Sequence, residues 1–282
     1  MRLIQEVIEL DKLVTEWKKN NNTIALVPTM GSLHFGHISL IKEAKKLASK
    51  TVISIFVNPI QFGRGEDYES YPSNIDSDKK KLKAEGVDAL FVPDLKQLYP
   101  MGTEIDTRIT VPYISEILCG QQRPGHFSGV ATVVTKLLVT CKPDFALFGQ
   151  KDYQQYLVIK RMVSDLLIPT LVIGLPTQRE KDGLALSSRN RYLSVNERKI
   201  APKIYLSLQK ASEIIHIGVT NFNNAKQELI AELERFGMKV EYFELRRAAD
   251  LALPKEDEKS FVILVAVWLG KARLIDNIIV EL

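Results

Sequence analysis

The chain has 282 residues, 38 lysines and arginines against 34 aspartates and glutamates, and 45% apolar side chains. That balance suits a globular protein with one large and one smaller domain, and excludes a disordered, fibrous or disulfide-built chain. The net charge of +4 is spread among acids, so no basic stripe for nucleic acid is present.

Strands are predicted at 23–27, 51–57, 87–92, 145–148 and 170–175, alternating with helices near 37–49, 74–85, 128–140 and 152–166. Such alternation predicts an α/β, Rossmann-like doubly wound parallel sheet spanning 1–176 as the nucleotide-binding domain. The run Lys79-Lys-Lys-Leu-Lys83, flanked by Asp76, Asp78 and Glu85, reads as a solvated helix face. Past Pro176 the character changes, and the polar, Gly-containing stretch from Gln178 to Asn190 reads as a mobile connection. Helices at 195–217 and 221–236 and strands at 239–245, 261–269 and 272–281 then predict a smaller C-terminal α+β domain, 177–282, able to close over the sheet's rim. Phe261 to Leu269 is the most apolar run, of a length that suits a buried strand, and Gly270-Lys271 predicts a two-residue hairpin. Cys119 and Cys141 have neither metal-ligand nor disulfide-framework spacing and fit a reducing cytosol. No signal-peptide core and no membrane-length apolar run is seen, so a cytoplasmic protein without membrane contact is expected.

The most informative residues are Pro28-Thr-Met-Gly-Ser-Leu-His-Phe-Gly-His37, set between the strand 23–27 and the helical pattern from Ile38. A strand, a Gly-punctuated turn and a helix place backbone N–H groups and a positive dipole end where phosphate can sit. His34 and His37 can each donate a ring N–H to a phosphate oxygen, and their protonated forms stabilise charge developing during nucleotidyl transfer. Gly31 permits unusual turn dihedrals, and Gly36 lets a purine or phosphate approach the backbone. No Gly-Lys-Ser/Thr follows, so a P-loop is not indicated. A helix cap is the ordinary reading of a lone histidine here, and no Cys, Asp or Glu inside the motif completes a zinc set.

Three motifs follow three strands and so fall on one carboxyl rim. After 23–27 come His34 and His37; after 51–57 come Asn58 and Gln61; after 145–148 comes Gly149-Gln150-Lys151-Asp152. Neutral amides suit a substrate carrying hydroxyls and a carboxylate that must stay nucleophilic. Lys151 can neutralise an α-phosphate, and Asp152 can cap a helix or hold a ribose or a metal-linked water. Leu186-Ser187-Ser188-Arg189 offers two hydroxyls and a guanidinium for phosphates. Arg123 and His126 form a further basic cluster that can hold triphosphate or order the site. Gly63 to Tyr68 reads as a flexible cover, and His216 as a helix-end cation.

The decapeptide resembles the signature of the pantoate–β-alanine ligase family, within the HIGH-type nucleotidyltransferases. The resemblance continues through Ser54 to Phe62, Arg123 to Val130, Phe148 to Gln155 and Asp182 to Asn190, in family order. It implies ATP with Mg²⁺, the metal held mainly by phosphates, and (R)-pantoate and β-alanine as the other substrates. It implies His37, and to a lesser degree His34, as catalytic. ATP contacts are implied for Met30, Gly31, Ser32, Leu33, His34, Phe35, Gly36 and His37, for Gly149, Gln150, Lys151 and Asp152, and for Gln178, Leu186, Ser187, Ser188 and Arg189. Pantoate contacts are implied for Asn58, Gln61 and Gln155, a β-alanine contact for Gln61, no protein-held metal, and a homodimer. Phe35 stands where the family often has an acid, Gln178 where an apolar residue meets adenine through its backbone, and Arg246-Arg247 where Arg-Asp is common. A relative that retains nucleotide in its product and a non-catalytic nucleotide- or RNA-binding module are the rival readings. No segment remains for the anticodon-binding domain of an aminoacyl-tRNA synthetase.

Overall fold

The computed structural model describes residues 1–63, 65–255 and 257–282. The chain packs as two units, Met1–Gln150 with Gln154–Pro176, and Lys151–Tyr153 with Thr177–Leu282.

The first unit runs β1 (Arg2–Ile4), α1 (Val7–Lys19), β2 (Ile24–Thr29), α2 (Phe35–Leu47), β3 (Lys50–Ile55), α3 (Ile75–Ala84), β4 (Ala89–Phe91), the single turns α4 (Leu95–Leu98) and α5 (Cys119–Gln122), α6 (His126–Cys141), β5 (Phe145–Gly149), α7 (Tyr153–Asp165) and β6 (Leu171–Leu175). Its six strands are all parallel, in the order β1-β4-β3-β2-β5-β6. The strands read as unbroken apolar runs because both faces are covered. On one face Ala25, Val27, Ile53, Leu90 and Leu147 pack against Leu40, Ile41 and Ala44 of α2 and Leu82 of α3. The alternate residues Ile24, Leu26, Val52, Phe91 and Ala146 are buried on the other face, where α6 meets β2 and α1 meets α6. Successive connections lead from β2 to β3 and β4 on one side and to β5 and β6 on the other. The order therefore reverses between β2 and β5, where an open sheet gathers ligands beyond its carboxyl ends.

The second unit contains α8 (Val195–Ile200), α9 (Lys203–Ile217), α10 (Val219–Arg235), β7 (Lys239–Arg247), β8 (Ser260–Leu269) and β9 (Ala272–Glu281). The three strands form an antiparallel sheet in sequence order. Ile204, Leu208, Ala211 and Ile215 recur at helical spacing along α9 and pack with Phe222, Leu229 and Leu233 on Phe243, Phe261, Ile263 and Val265. Leu269 pairs with Ala272 across the expected two-residue loop, whose first residue, Gly270, has φ 56°.

One expectation is corrected. The helix read over 195–217 is broken into α8 and α9, because Pro202 lacks the N–H that would bond the Arg198 carbonyl. The connection between Gln178 and Asn190 carries hydrogen bonds of its own: Arg179 bridges Ala185, the Leu186 N–H donates to the Gln178 carbonyl at 2.9 Å, and Asn190 Nδ2 donates to the Ala185 carbonyl at 3.0 Å. Before the first expected strand, β1 and α1 are additional.

Candidate active site

At the end of β2 the chain turns sharply, with Gly31 at φ 85° and Ser32 at φ 52°. A Cβ on Gly31 would lie 3.1 Å from Ile55 Cγ2, so glycine serves both the dihedral and the space. The turn is held from outside. Asp78 accepts the Ser32 N–H at 2.8 Å and the Leu33 N–H at 2.9 Å, while Lys81 donates to the Leu33 carbonyl at 2.5 Å. Expected on a solvated face, Asp78 is instead 1% exposed. It lies on the same stripe of α3 as Ile75 and Leu82, and two backbone donors compensate its burial.

His34 is the N-cap of α2. Its Nδ1 accepts the Gly36 N–H at 3.2 Å, and Nδ1 of His37 accepts the His34 N–H at 3.3 Å. Both Nδ1 atoms act as acceptors, so the proton of each neutral ring sits on Nε2. The ring centroids are 4.1 Å apart. The capping role and the donor role expected for these histidines therefore coexist. Phe35 between them is 62% exposed.

A 3₁₀ turn, Pro59–Gln61, follows β3. Gln61 is buried, and its Nε2 contacts Met30 Sδ at 2.9 Å, joining this turn to the one after β2. Asn58 Nδ2 donates to Gln61 Oε1 and to the Gly129 carbonyl, both at 3.1 Å, and Asn58 Oδ1 accepts the Tyr99 hydroxyl at 2.9 Å. Asn58 thus fixes the orientation of the Gln61 amide. Burial, with the charge of Asp106 adding to it, pushes the Tyr99 hydroxyl well above its ordinary range, so it remains a donor. Arg123 and His126 order this turn through Glu66 and the Gln61 carbonyl. Glu66 lies in the segment read as a flexible cover; Arg64 of that segment lies outside the described residues.

Gly149 ends β5, and Gln150, Lys151 and Asp152 form a 3₁₀ turn into α7. Gln154 is buried and structural, donating to the Ile114 and Ile117 carbonyls at 2.8 and 2.7 Å and accepting the Cys119 N–H at 3.1 Å. Gln155 is half-buried in the first turn of α7.

The second unit groups Lys151 with the Leu186–Asn190 stretch. Lys151, Ala185, Ser187, Asn190 and Asp276 line one small cavity. The Lys151 carbonyl accepts from Asn277 Nδ2 at 2.9 Å. Beside it Arg179 pairs bidentately with buried Asp276 at 2.6 and 2.9 Å, and its guanidinium lies 3.7 Å from the Tyr205 ring centroid. Burial pushes the Asp276 carboxyl up, opposed by Arg179. The Ser187 hydroxyl accepts the Arg189 N–H at 3.3 Å, capping the turn that holds Ser188 and Arg189. Sequence reasoning missed Asp78, Glu66, Tyr99, Arg179 and Asp276. Only Arg179, next to Gln178 in a polar stretch, carried any local signal.

Two histidines at a helix N-terminus beside the switch point of a parallel sheet are the arrangement of a site for a phosphate-bearing ligand. The comparisons narrow the class. The pantoate-beta-alanine ligase family model matches residues 2–279. Pantothenate synthetase of Ectopseudomonas mendocina is 47% identical, covering 100% of this chain and 99% of its own, and that of Methylococcus capsulatus is 46% identical with the same coverage. The crystal structure of pantothenate synthetase from Thermus thermophilus superposes with a TM-score of 0.91 at 40% identity, covering 99% of both chains. Pantoate-beta-alanine ligase from Francisella tularensis, solved with β-γ ATP and β-alanine, superposes with a TM-score of 0.82 at 38% identity, covering 99% of this chain and 97% of its own. The chain belongs to the pantoate–β-alanine ligase family.

Proposed function

We propose that this chain condenses (R)-pantoate with β-alanine at the expense of ATP, through a pantoyl-adenylate. A pantoate carboxylate oxygen attacks the α-phosphorus as its bond to the bridging oxygen breaks and pyrophosphate leaves. The β-alanine amine then attacks the acyl carbon, AMP leaves, and the amine proton is lost to solvent. Position and charge stabilisation carry both steps, with no covalent nucleophile from the protein.

The observation that carries this reading is the His34–His37 pair, with both Nδ1 atoms satisfied by the backbone and the proton of each on Nε2. We assign the Nε2–H of His37, assisted by His34, to the α-phosphate oxygens in the transition state. Met30 to Gly36 line the nucleotide, with Gly149 and Gln150 beside the same rim. Gln61 and Gln155 hold pantoate, Gln61 also meets β-alanine, and Asn58 serves by holding Gln61. Lys151, Asp152, Gln178 and Leu186 to Arg189 take the remaining nucleotide and phosphate contacts. Mg²⁺ enters with ATP, held by phosphate oxygens and water. The domains are assigned as 1–176 and 177–282, the chain as a homodimer in the cytoplasm. Among the described residues no helix is long and apolar enough to cross a membrane.

The test is a product assay with ATP, pantoate and β-alanine. AMP and pyrophosphate that appear only with pantoate present support the proposal; ADP, or indifference to pantoate, overturns it. Sedimentation at micromolar concentration tests the dimer.

A further inference from the structure

We propose that Arg123 and His126 are positioning residues that fix the Gln61 backbone against the first turn of α6, and through it the amide assigned to pantoate. The inference rests on that assignment of Gln61. The Pro59–Gln61 turn has little structure of its own: the Gln61 N–H reaches the Asn58 carbonyl at 3.4 Å and the Phe62 N–H the Pro59 carbonyl at 3.1 Å. One turn of 3₁₀ helix is weakly self-supporting, so its placement must come from neighbours.

Asn58 and Met30 hold the Gln61 side chain, and the neighbours that hold its backbone belong to the Arg123–Val130 block. His126 Nδ1 lies 2.7 Å from the Gln61 carbonyl oxygen, and Arg123 Nη2 lies 3.4 Å from the same atom. Arg123 Nη1 is 3.0 Å from His126 Nε2. A guanidinium can only donate, so Nε2 accepts and the imidazole proton sits on Nδ1, where it donates to Gln61. Glu66 fixes Arg123 in turn, accepting from Nε at 2.7 Å and from Nη2 at 2.6 Å. The helix approaches closely because residue 129 is glycine: a Cβ there would lie 2.5 Å from the Ile60 carbonyl oxygen and 2.8 Å from Gln61 Cα. Asn58 closes the arrangement through its bond to the Gly129 carbonyl. The chain Glu66, Arg123, His126, Gln61 thus ends at an amide that also touches Met30 in the turn leading to the paired histidines.

The test is steady-state kinetics of pyrophosphate release with Q61A, H126F, H126N and R123Q. H126F keeps a ring but loses the donor, and should raise the pantoate KM about tenfold while the ATP KM stays within about twofold. H126N keeps a donor near the Nδ1 position and should recover the pantoate KM to within about threefold of wild type. R123Q, which loses the Glu66 pair, should show the same selective rise and provides the reading should H126F not fold. A wild-type pantoate KM in H126F or R123Q, with Q61A raised, overturns the positioning role. A parallel rise in both KM values that H126N does not relieve marks a merely structural role and overturns it too. An unchanged pantoate KM in Q61A instead refutes the assignment of Gln61.

Discussion

Asp78 carries the sharpest quantitative expectation, because one buried carboxylate holds the turn that delivers both histidines. In D78N one amide oxygen can keep one of the two backbone bonds, at 2.8 and 2.9 Å in the parent. The Nδ2 group then meets the other N–H, donor against donor. A hydrogen bond to a charged group is worth about 1.5–3 kcal/mol, and an unsatisfied buried donor costs a comparable amount. Removing a buried charge returns part of this, leaving a net loss of about 2–3 kcal/mol. The fold survives a loss of that size, with Tm lowered by about 3–5 °C. Activity falls further, since a shift of about 1 Å in His34 and His37 costs about a hundredfold in rate. Single-turnover adenylate formation measures the rate, and thermal unfolding followed by circular dichroism measures the stability. A D78N protein with wild-type rate and Tm refutes the claim that this carboxylate organises the turn.

Three further outcomes are expected. His37→Ala should slow adenylate formation by about two to three decades, yet lower stability by only about 1 kcal/mol through loss of its cap on the His34 N–H; rapid-quench kinetics and urea unfolding separate the two. Arg179→Met should cost about 3–5 kcal/mol by leaving Asp276 buried without its bidentate partner; R179M/D276L should recover most of it, and urea midpoints decide. Burial pushes the Glu66 carboxyl up, but hydrogen bonding and charge from Arg123 outweigh it and hold the group below its ordinary value of 4.5. A depressed folded-state pKa adds stability above that value and loses it as pH falls through the folded one. Glu66→Gln should therefore lower stability at neutral pH and flatten the acid limb of a Tm-against-pH curve; an unchanged limb refutes the linkage.

The parallel sheet was legible because strands buried on both faces are continuous apolar runs and the connecting helices carry clear 3.6-residue spacing. The turn into α2 was legible for its glycines and histidines. Leu10, Leu13 and Val14, buried in α1, show the same spacing, so that helix was readable as well; the three-residue β1 before it was too short to leave a pattern. Pro202 announced the break between α8 and α9 to a reader who weighed its missing N–H. Other features had no local signal. Asp78 sits in a run of charges and looks solvated, because the donors that justify its burial lie 46 and 45 residues earlier in the chain. Glu66 and Arg123 meet only once α6 is docked on the turn after β3. Polar composition in residues 178–190 gave no sign that Arg179 finds its carboxylate on β9. Long-range polar pairs of this kind are decided by topology, which single-sequence pattern does not encode.

The attack of a pantoate carboxylate oxygen on the α-phosphorus of ATP is the step on which the whole account depends. Pantoate labelled with heavy oxygen in its carboxylate should pass one labelled atom to AMP in a complete turnover with β-alanine, the other remaining in the amide carbonyl. AMP free of label, with heavy oxygen found in inorganic phosphate or in pyrophosphate, would contradict adenylate formation at this site.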